Sequence, residues 1–465
     1  MEILQGTIAA IATALSDSGI GIIRISGEEA IQIADAVIQS KSGKKIIKDA
    51  KSHTIQYGFA FDGEKIVDEV MVSVFRAPKS YTREDVVEIN CHGGVLVTKK
   101  VLELVLRAGA RLAEPGEFTK RAFLGGRIDL AEAEAVMDLI HSKNELSLKA
   151  STMQLRGDLS KKIRSLREEI LYEIAFIESA LDDPEHISLD GYQERLSEKL
   201  DRILSEIQRL IDSAENGRMV KEGISTVILG KPNAGKSSLL NMILGQERAI
   251  VTDIAGTTRD ALEESVALRG LHLNMIDTAG IRDTEDIVEK IGVERAKKYA
   301  EDADLILYVV DTSVDLDEND REILSLIKDK KTIFLLNKSD LTPKVSEKEI
   351  LEEIGETAKE ASFISTSALL GEGLELLEAE IEKLFLMGDL RQNDQLMITN
   401  LRHKEELLQT KSALLLVKQS LEAQMPEDFY SIDLMQAYAC LGKILGEEVG
   451  DDLVEEIFSK FCMGK

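Results

Sequence analysis

The sequence lacks tryptophan, and aromatic residues make up only 4% of its 465 positions. This composition favours helix-rich domains whose cores are built from aliphatic side chains. At this length we expect two to four domains, each with enough chain to bury a core of its own.

Cysteine is scarce as well. The three cysteines, Cys91, Cys440 and Cys462, are scattered, which argues against a disulfide framework and fits a reducing compartment. There is no apolar run of 18 residues, and Met1 is not followed by the pattern of a signal peptide. We therefore expect a cytoplasmic protein with no membrane partner.

Positive charge is in deficit, because the formal net charge is −27. Such a balance argues against broad attraction to nucleic acid or to an anionic membrane. The charge does not exclude a local basic groove, since one predicted helix carries Lys161, Lys162, Arg164 and Arg167. A solvated helix face is the more ordinary interpretation of those four charges.

Residues 230–237 read Gly-Lys-Pro-Asn-Ala-Gly-Lys-Ser, the spacing of a phosphate-binding loop. The motif follows an apolar run and precedes a helical pattern, which is the context it requires. Lys236 is placed to reach the β- and γ-phosphates of a nucleotide, and the Ser237 hydroxyl to bind Mg²⁺. The expected nucleotide contacts from this loop are Asn233, Ala234, Gly235, Lys236, Ser237 and Ser238.

A second motif, Asn-Lys-Ser-Asp at 337–340, predicts that the nucleotide is GTP. A buried Asp340 carboxylate would accept hydrogen bonds from N1–H and the 2-amino group of guanine, and would reject adenine by as much as about 10⁴-fold. Asn337 would face the other edge of the base, and Lys338 would lie over the ring. Alone, the tetrapeptide reads as a polar turn. The later Ser367 and Ala368, whose segment can offer backbone N–H groups to guanine O6, favour the guanine site.

Between these motifs, Asp277-Thr-Ala-Gly280 follows a strand pattern. Asp277 would order Mg²⁺ through water, and the Gly280 N–H would meet the γ-phosphate. Thr258, in a Gly-Thr-Thr segment, is the candidate for a second hydroxyl on Mg²⁺. Thr252 and Thr257 are also expected at the nucleotide.

The residue after Gly280 is Ile281, where many small GTPases have a glutamine that orients water. Several carboxylates in residues 282–292 are candidates to replace it, and spacing alone selects none of them. No internal arginine finger is evident either. A monovalent cation held by Asn233 and the carbonyls of residues 252–257 is one possible substitute.

The chain divides into four stretches by pattern. Residues 1–118 mix short strands with helices, 119–218 are helical, 219–382 alternate strands and helices, and 383–465 are helical again. The simplest topology inserts the third stretch, a doubly wound α/β domain, into an all-α domain. Asn216-Gly217 is the expected exit turn of the first helical stretch. Its predicted apolar stripe is Leu148, Leu155, Leu159, Ile163, Leu166, Ile170, Ile174 and Ile177.

The chain ends Phe461-Cys462-Met463-Gly464-Lys465. Cys462 stands fourth from the end, but Gly464 and Lys465 make a poor prenylation signal. A nucleophilic cysteine is a further possibility. A tail that docks elsewhere on the protein is the plainer interpretation.

These motifs, with Gly-Ile-Ile-Arg-Ile-Ser-Gly at 21–27, His92-Gly-Gly and Pro115-Gly-Glu-Phe, resemble the MnmE (TrmE) family of tRNA-modification GTPases over the whole chain. The resemblance implies a multidomain fold: an α+β N-terminal domain that binds folate and dimerises, a helical domain, and an inserted Ras-like GTPase domain. Folate contacts would fall on Arg24, Glu88, Arg127 and Lys465. The catalytic glutamate would be Glu289, and the K⁺ ligands Asn233 with the backbone of Thr252, Ile254 and Thr257.

The family's activity is modification of wobble uridine at C5 in tRNA. By resemblance, the partners are tRNA and the FAD-dependent MnmG, and the cofactors are Mg²⁺, K⁺ and a 5-formyl- or methylene-tetrahydrofolate, with GTP as substrate. A homodimer whose GTPase domains meet face to face is also implied. A GTP-switched ribosome-assembly or RNA-binding factor is the main alternative, which the N-terminal motifs and Lys465 disfavour.

Overall fold

The computed structural model describes residues 6–183, 185–188, 190–245, 264–268, 271–276, 298–327, 330–355, 361–385, 396–447 and 449–464. The chain forms two compact units. The first contains Met1–Ile140, Thr152–Leu204 and Glu406–Lys465, and the second contains His141–Ser151 and Ser205–Glu405. The chain of the second unit thus interrupts that of the first, as expected for an insertion.

The first unit is built on a seven-stranded sheet in the order β3-β4-β5-β6-β2-β1-β7. Neighbouring strands are antiparallel, except that β1 and β7 are parallel. This sheet confirms the α+β prediction for the N-terminal stretch. Its strands are Ile8–Ile11 (β1), Ser18–Ser26 (β2), Ile38–Gln39 (β3), Thr54–Asp62 (β4), Lys65–Phe75 (β5), Val86–Gly93 (β6) and Arg111–Leu112 (β7).

Helices account for most of the remaining described chain. In chain order they are Ala30–Val37 (α1), Val95–Arg107 (α2), Glu117–Leu124 (α3), Leu130–His141 (α4), Glu145–Leu155 (α5), Asp158–Asp182 (α6), Tyr192–Glu222 (α7), Lys236–Leu244 (α8), Glu318–Leu326 (α9), Glu347–Ile354 (α10), Leu374–Phe385 (α11), Leu401–Glu422 (α12), Glu427–Leu445 (α13) and Asp451–Ser459 (α14).

The apolar stripe predicted from Leu148 onward is not one continuous seam. Gly157 has φ +77° and separates α5 from α6. In α6 the stripe from Leu159 to Ile177 is buried as expected, whereas Leu148 in α5 is 48% exposed. The period of the pattern was therefore right, but a glycine in the left-handed region ended the helix.

The predicted exit turn at Asn216-Gly217 is wrong, because α7 continues through it to Glu222. A Cβ on Gly217 would lie 2.1 Å from the carbonyl oxygen of Ile398. The glycine thus permits close approach of a neighbouring segment and does not form a turn. The chain leaves the helix at Gly223, which has φ +93°.

The second unit contains a six-stranded sheet in the order β13-β12-β11-β8-β10-β9. All pairings are parallel except that between β10 and the edge strand β9. The central strands β11 and β12 are buried at every position, as continuous apolar runs covered on both faces require. The strands are Ile224–Leu229 (β8), Glu264–Leu268 (β9), Leu271–Met275 (β10), Leu305–Asp311 (β11), Thr332–Asn337 (β12) and Ser362–Ser365 (β13).

This arrangement confirms the doubly wound α/β prediction and places the predicted motifs at the carboxyl ends of β8, β12 and β13, where such sheets bind ligands. The boundaries of the four stretches expected from sequence stay a prediction. None of the described helices combines the length and hydropathy needed to cross a membrane.

Candidate nucleotide-binding site

The loop at residues 230–235 joins β8 to α8, and two glycines set its shape. Gly230 and Gly235 have φ of +147° and +103°. A Cβ on Gly230 would lie 2.4 Å from the Val309 carbonyl oxygen, and one on Gly235 would lie 2.1 Å from Asn337 Nδ2. Larger residues would displace the strand and the motif on which the loop rests.

Lys236 directs its side chain back into this loop. Its ammonium donates to the carbonyl oxygens of Gly230 and Lys231, both at 2.8 Å. Burial lowers the pKa of the Lys236 ammonium. Ser237 and Ser238 follow in the first turn of the nine-residue α8. A cation beside the N-terminus of a helix is an arrangement that binds phosphate.

Asn337 connects the loop to the segment after β13. The side chain is 2% exposed, its Nδ2 donates to the Ala234 carbonyl oxygen at 2.8 Å, and its Oδ1 accepts from the Ala368 N–H at 3.1 Å. We expected this amide to face guanine, and the structure shows that it also holds two loops together. Both the Asn337 contact and the Ala368 contact with guanine stay predictions.

Asp340 is exposed, so the expectation of a buried carboxylate was wrong. The residue lies on the turn that follows β12, outside the sheet. Its Oδ1 accepts a hydrogen bond of 2.6 Å from the hydroxyl of Ser367, which is fully buried. The orientation of the carboxylate is therefore set by a neighbouring loop and not by burial.

Lys338 is positioned by an ion pair. Its Nζ lies 2.5 Å from Oδ2 of Asp311, the last residue of β11. Burial works to raise the pKa of Asp311, but hydrogen bonds from Lys338 and Ser313 outweigh it and lower that pKa. The pair fixes the direction of the Lys338 side chain at the carboxyl edge of the sheet.

Sequence reasoning missed a second anchor of the loop. The Lys231 ammonium lies 2.8 Å from Asp320 Oδ2 and 3.3 Å from Asp317 Oδ2, at the start of α9. Asp320 is fully buried and also accepts from the Tyr308 hydroxyl at 3.0 Å. The only sequence signal was an Asp-x-x-Asp pattern, which forms the capping box of α9.

The loop thus has two anchors. Lys231 attaches its first half to α9, and Asn337 attaches its second half to residues 366–368. Burial works to lower the pKa of Lys231, but the carboxylates of Asp320 and Asp317 outweigh it and raise that pKa. Lys231 therefore stays charged and is directed to α9, which leaves Lys236 as the lysine inside the loop.

Several predicted site residues lie outside the described residues, and their roles stay predictions. They are Thr252, Ile254, Thr257, Thr258, Asp277, Gly280, Glu289 and Lys465. Of the predicted metal ligands, Ser237 and Asn233 are described, and both occupy the loop and the first turn of α8.

In the first unit, three of the four predicted folate contacts come together. Arg24 Nε lies 2.9 Å from Glu88 Oε1, across the β2–β6 pairing. The guanidinium carbons of Arg24 and Arg127 lie 5.7 Å and 4.7 Å from the Tyr81 ring centroid. Carboxylate, guanidinium and aromatic groups in one place fit a ligand that has both N–H donors and carboxylates.

The C-terminal tail docks beside this cluster. Arg24 Nη1 donates to the Gly464 carbonyl oxygen at 3.1 Å, and Phe461 is 7% exposed. A Cβ on Gly464 would lie 2.3 Å from the carbonyl oxygen of Ile11 in β1. The docked tail agrees with the plainest interpretation of its sequence, and Cys462 is exposed.

A doubly wound sheet with a phosphate-type loop, joined through Asn337 to an Asn-Lys-Ser-Asp turn, defines a P-loop protein of the guanine-nucleotide-binding class. Two family models match the chain: the GTP-binding protein TrmE N-terminus over residues 7–127, and the MnmE helical domain over residues 130–462. The chain belongs to the MnmE family of tRNA modification GTPases.

Two relatives illustrate the similarity. A tRNA modification GTPase MnmE of Lachnoclostridium phytofermentans is 56% identical, with 99% of each chain covered. One from Clostridioides difficile is 49% identical over 99% of this chain and 100% of the relative. Among solved structures, the G domain of the T. maritima FeoB iron transporter is 27% identical, covers 35% of this chain and 99% of its own, and gives a TM-score of 0.26.

Proposed function

We propose that this chain hydrolyses GTP in the course of modifying tRNA. One observation carries the proposal: the Asn337 amide bonds to Ala234 of the phosphate loop and to Ala368, so that the predicted phosphate-binding and guanine-binding residues lie together. The relatives named as tRNA modification GTPases support the tRNA part.

At the nucleotide, Lys236 exchanges the carbonyls of Gly230 and Lys231 for β- and γ-phosphate oxygens. Ser237 and Thr258 would hold Mg²⁺, which when bound would neutralise charge on the phosphates. Gly280 donates its N–H to the γ-phosphate. Asp340, oriented by Ser367, accepts the guanine donors.

Ile281 has no polar group that could position the attacking water. We assign that role to Glu289, the residue that the family resemblance implies. Asn233 and the backbone of Thr252, Ile254 and Thr257 would hold K⁺, which when bound would supply positive charge at the phosphates where other GTPases use an arginine.

The first unit binds a tetrahydrofolate derivative through Arg24, Glu88, Arg127 and Lys465. The Arg24–Glu88 ion pair and the positions of Arg24 and Arg127 over the Tyr81 ring support this site. As a cytoplasmic homodimer, and with the FAD-dependent MnmG, the protein adds an aminomethyl or carboxymethylaminomethyl group at C5 of wobble uridine (U34) in certain tRNAs.

The test is nucleoside analysis of tRNA from a bacterial strain that lacks its own family member and expresses this chain. We expect the modified wobble uridine to return with the wild-type chain and not with Lys236→Ala, since that variant loses the phosphate ligand. Unmodified wobble uridine, together with normal GTP turnover of the wild-type chain, would instead favour a GTP-switched binding factor.

A further inference from the structure

The segment between β3 and β4 carries an unusual concentration of positive charge. Between residues 40 and 53 there are five lysines and one aspartate, which gives a net charge of +4 in a chain of −27. All five lysines are exposed. They are Lys41, Lys44, Lys45, Lys48 and Lys51.

The backbone of this segment is fixed from inside the unit. Asp35, 3% exposed, accepts the N–H groups of Ile47 and Lys48 at 3.0 and 3.2 Å. The Arg76 guanidinium donates to the carbonyl oxygens of Lys48 and Ala50 at 2.7 and 3.1 Å. Since these bonds use backbone atoms, the lysine side chains are presented from an ordered platform and stay available.

The lysine ammonium groups have few competing carboxylates. Among the residues that the structure describes, Lys41, Lys44 and Lys48 have no ion pair, and Lys45 has only Asp35 Oδ2 at 3.9 Å. The basic run on α6 differs, because Lys161, Arg164 and Arg167 pair with Asp158, Asp129 and Glu447. The segment at 41–51 is therefore a place where cations remain free for an external anion.

We infer that residues 41–51 dock the phosphate backbone of tRNA, an inference that rests on the proposed function. Contacts of this kind position an RNA without reading its sequence. The net charge of −27 does not prevent them, because at physiological salt charges are screened beyond about 8 Å. RNA is favoured over an anionic membrane since no large apolar side chain between residues 40 and 53 is exposed for insertion.

The test measures binding of fluorescently labelled tRNA to the full-length chain at several salt concentrations. The variant Lys41→Glu/Lys44→Glu/Lys48→Glu leaves every backbone bond of the segment in place. We expect this variant to bind tRNA at least about tenfold more weakly. The slope of the logarithm of the binding constant against the logarithm of the salt concentration should become shallower by about two to three, because each phosphate contact contributes about 0.7–0.9 to it.

The matched control is Lys65→Glu/Lys99→Glu/Lys460→Glu, which makes the same change of net charge at exposed lysines of the same unit. Equal weakening in both variants, or none in either, would overturn the inference. Loss of binding to anionic lipid vesicles with tRNA binding intact would also overturn it and assign the segment to a membrane. We expect GTP turnover to be unchanged in both variants, since neither changes a residue of the proposed nucleotide site. Failure of this inference is therefore distinct from failure of the proposed function, which the wobble-uridine assay tests.

Discussion

At the scale of single residues, guanine selection depends on an exposed carboxylate that a serine orients. In Asp340→Asn the side-chain N–H group faces the 2-amino group of guanine, which is also a donor. The same N–H group can donate to the 2-carbonyl oxygen of xanthine. We expect turnover of GTP to fall at least about tenfold and xanthosine triphosphate to become a substrate. Steady-state turnover with both nucleotides measures the exchange.

The control for Asp340 is Ser367→Ala, which keeps the carboxylate and removes its 2.6 Å hydrogen bond. The change also removes the weaker 3.3 Å bond that the Ser367 hydroxyl accepts from the Leu370 N–H. A single lost hydrogen bond of this kind is worth about 0.5–1.5 kcal/mol, so GTP affinity should fall modestly. The turnover of xanthosine triphosphate should not rise in this variant. If Asp340→Asn kept its preference for guanine, the assignment of Asp340 would be wrong.

Lys231 is the residue whose role only the structure reveals. Lys231→Met leaves Asp320 buried without its cation, and breaking such a pair should cost about 2 kcal/mol or more of unfolding free energy. Because the Lys231 carbonyl also holds the Lys236 ammonium, KM for GTP should rise more than kcat falls. Chemical unfolding and steady-state kinetics measure the two effects.

Lys231→Arg keeps the charge and is the matched control, so it should recover most of the stability. Lys231→Met/Asp320→Asn removes both charges and tests the loop separately, because it should recover stability while KM stays raised. A KM equal to that of the wild-type chain in this double variant would show that the anchor does not position the loop.

Whether the sequence predicts a contact of the site depends on how far apart the two residues are along the chain. Loop 230–237 is predictable because its glycines and lysine act within eight consecutive residues. The Lys231–Asp320 pair joins positions 89 residues apart, and no local pattern indicates it. The burial of Asp340 was misjudged for the same reason, since exposure depends on how the turn after β12 leaves the sheet.

At the scale of elements, Gly217 in α7 shows how packing overrides helix propensity. Gly→Ala inside a helix normally stabilises by about 0.5–1 kcal/mol. Here the new Cβ would meet the Ile398 carbonyl oxygen at 2.1 Å, so Gly217→Ala should destabilise by about 1–3 kcal/mol. Thermal unfolding measures the change, and Glu215→Ala, at an exposed position of the same helix, should be neutral or stabilising.

Strand β10 contains a buried histidine that should make the second unit sensitive to acid. Burial lowers the pKa of His272, although a hydrogen bond to the Lys143 carbonyl oxygen opposes this. The folded pKa lies below the unfolded value of about 6.5, so the unfolded chain binds more protons as pH falls. The stability from neutral His272 is complete above that value and is lost as pH falls below it.

His272→Gln keeps a donor for Lys143 but cannot be protonated. We expect the wild-type chain to lose more unfolding free energy than this variant between about pH 7.5 and about pH 5.5, measured by denaturant titration. Parallel losses in the two proteins would show that protonation of His272 does not contribute to acid sensitivity.

At the scale of the whole molecule, the alternation of strands and helices made the inserted α/β unit predictable, because parallel strands buried on both faces leave continuous apolar runs. The assignment of His141–Ser151 to the second unit was not predictable. It depends on contacts such as that of Asn144 Nδ2 with the Val220 carbonyl oxygen, 76 residues away. Helix period alone carries no information about such pairings.

The last prediction concerns the assembly that hydrolyses GTP. With Ile281 in place of a polar residue and no evident arginine finger, we expect hydrolysis to require K⁺ and two chains whose GTPase domains meet. Replacing K⁺ with Na⁺ at equal ionic strength should slow turnover at least about tenfold, since the group that K⁺ replaces is worth about 10³–10⁵ in rate.

Turnover and light scattering should be followed together, because association of GTPase domains should depend on K⁺ in the same way as the rate. Asn233→Gly is the informative variant, because position 233 has φ +62°, which glycine adopts without strain. The change removes one proposed K⁺ ligand without touching Lys236. It should lose the K⁺ stimulation and retain most of the nucleotide binding, because Lys236 and Ser237 stay in place. Equal rates in K⁺ and Na⁺ for the wild-type chain would show that hydrolysis does not depend on K⁺. A side chain would then have to supply the positive charge at the phosphates.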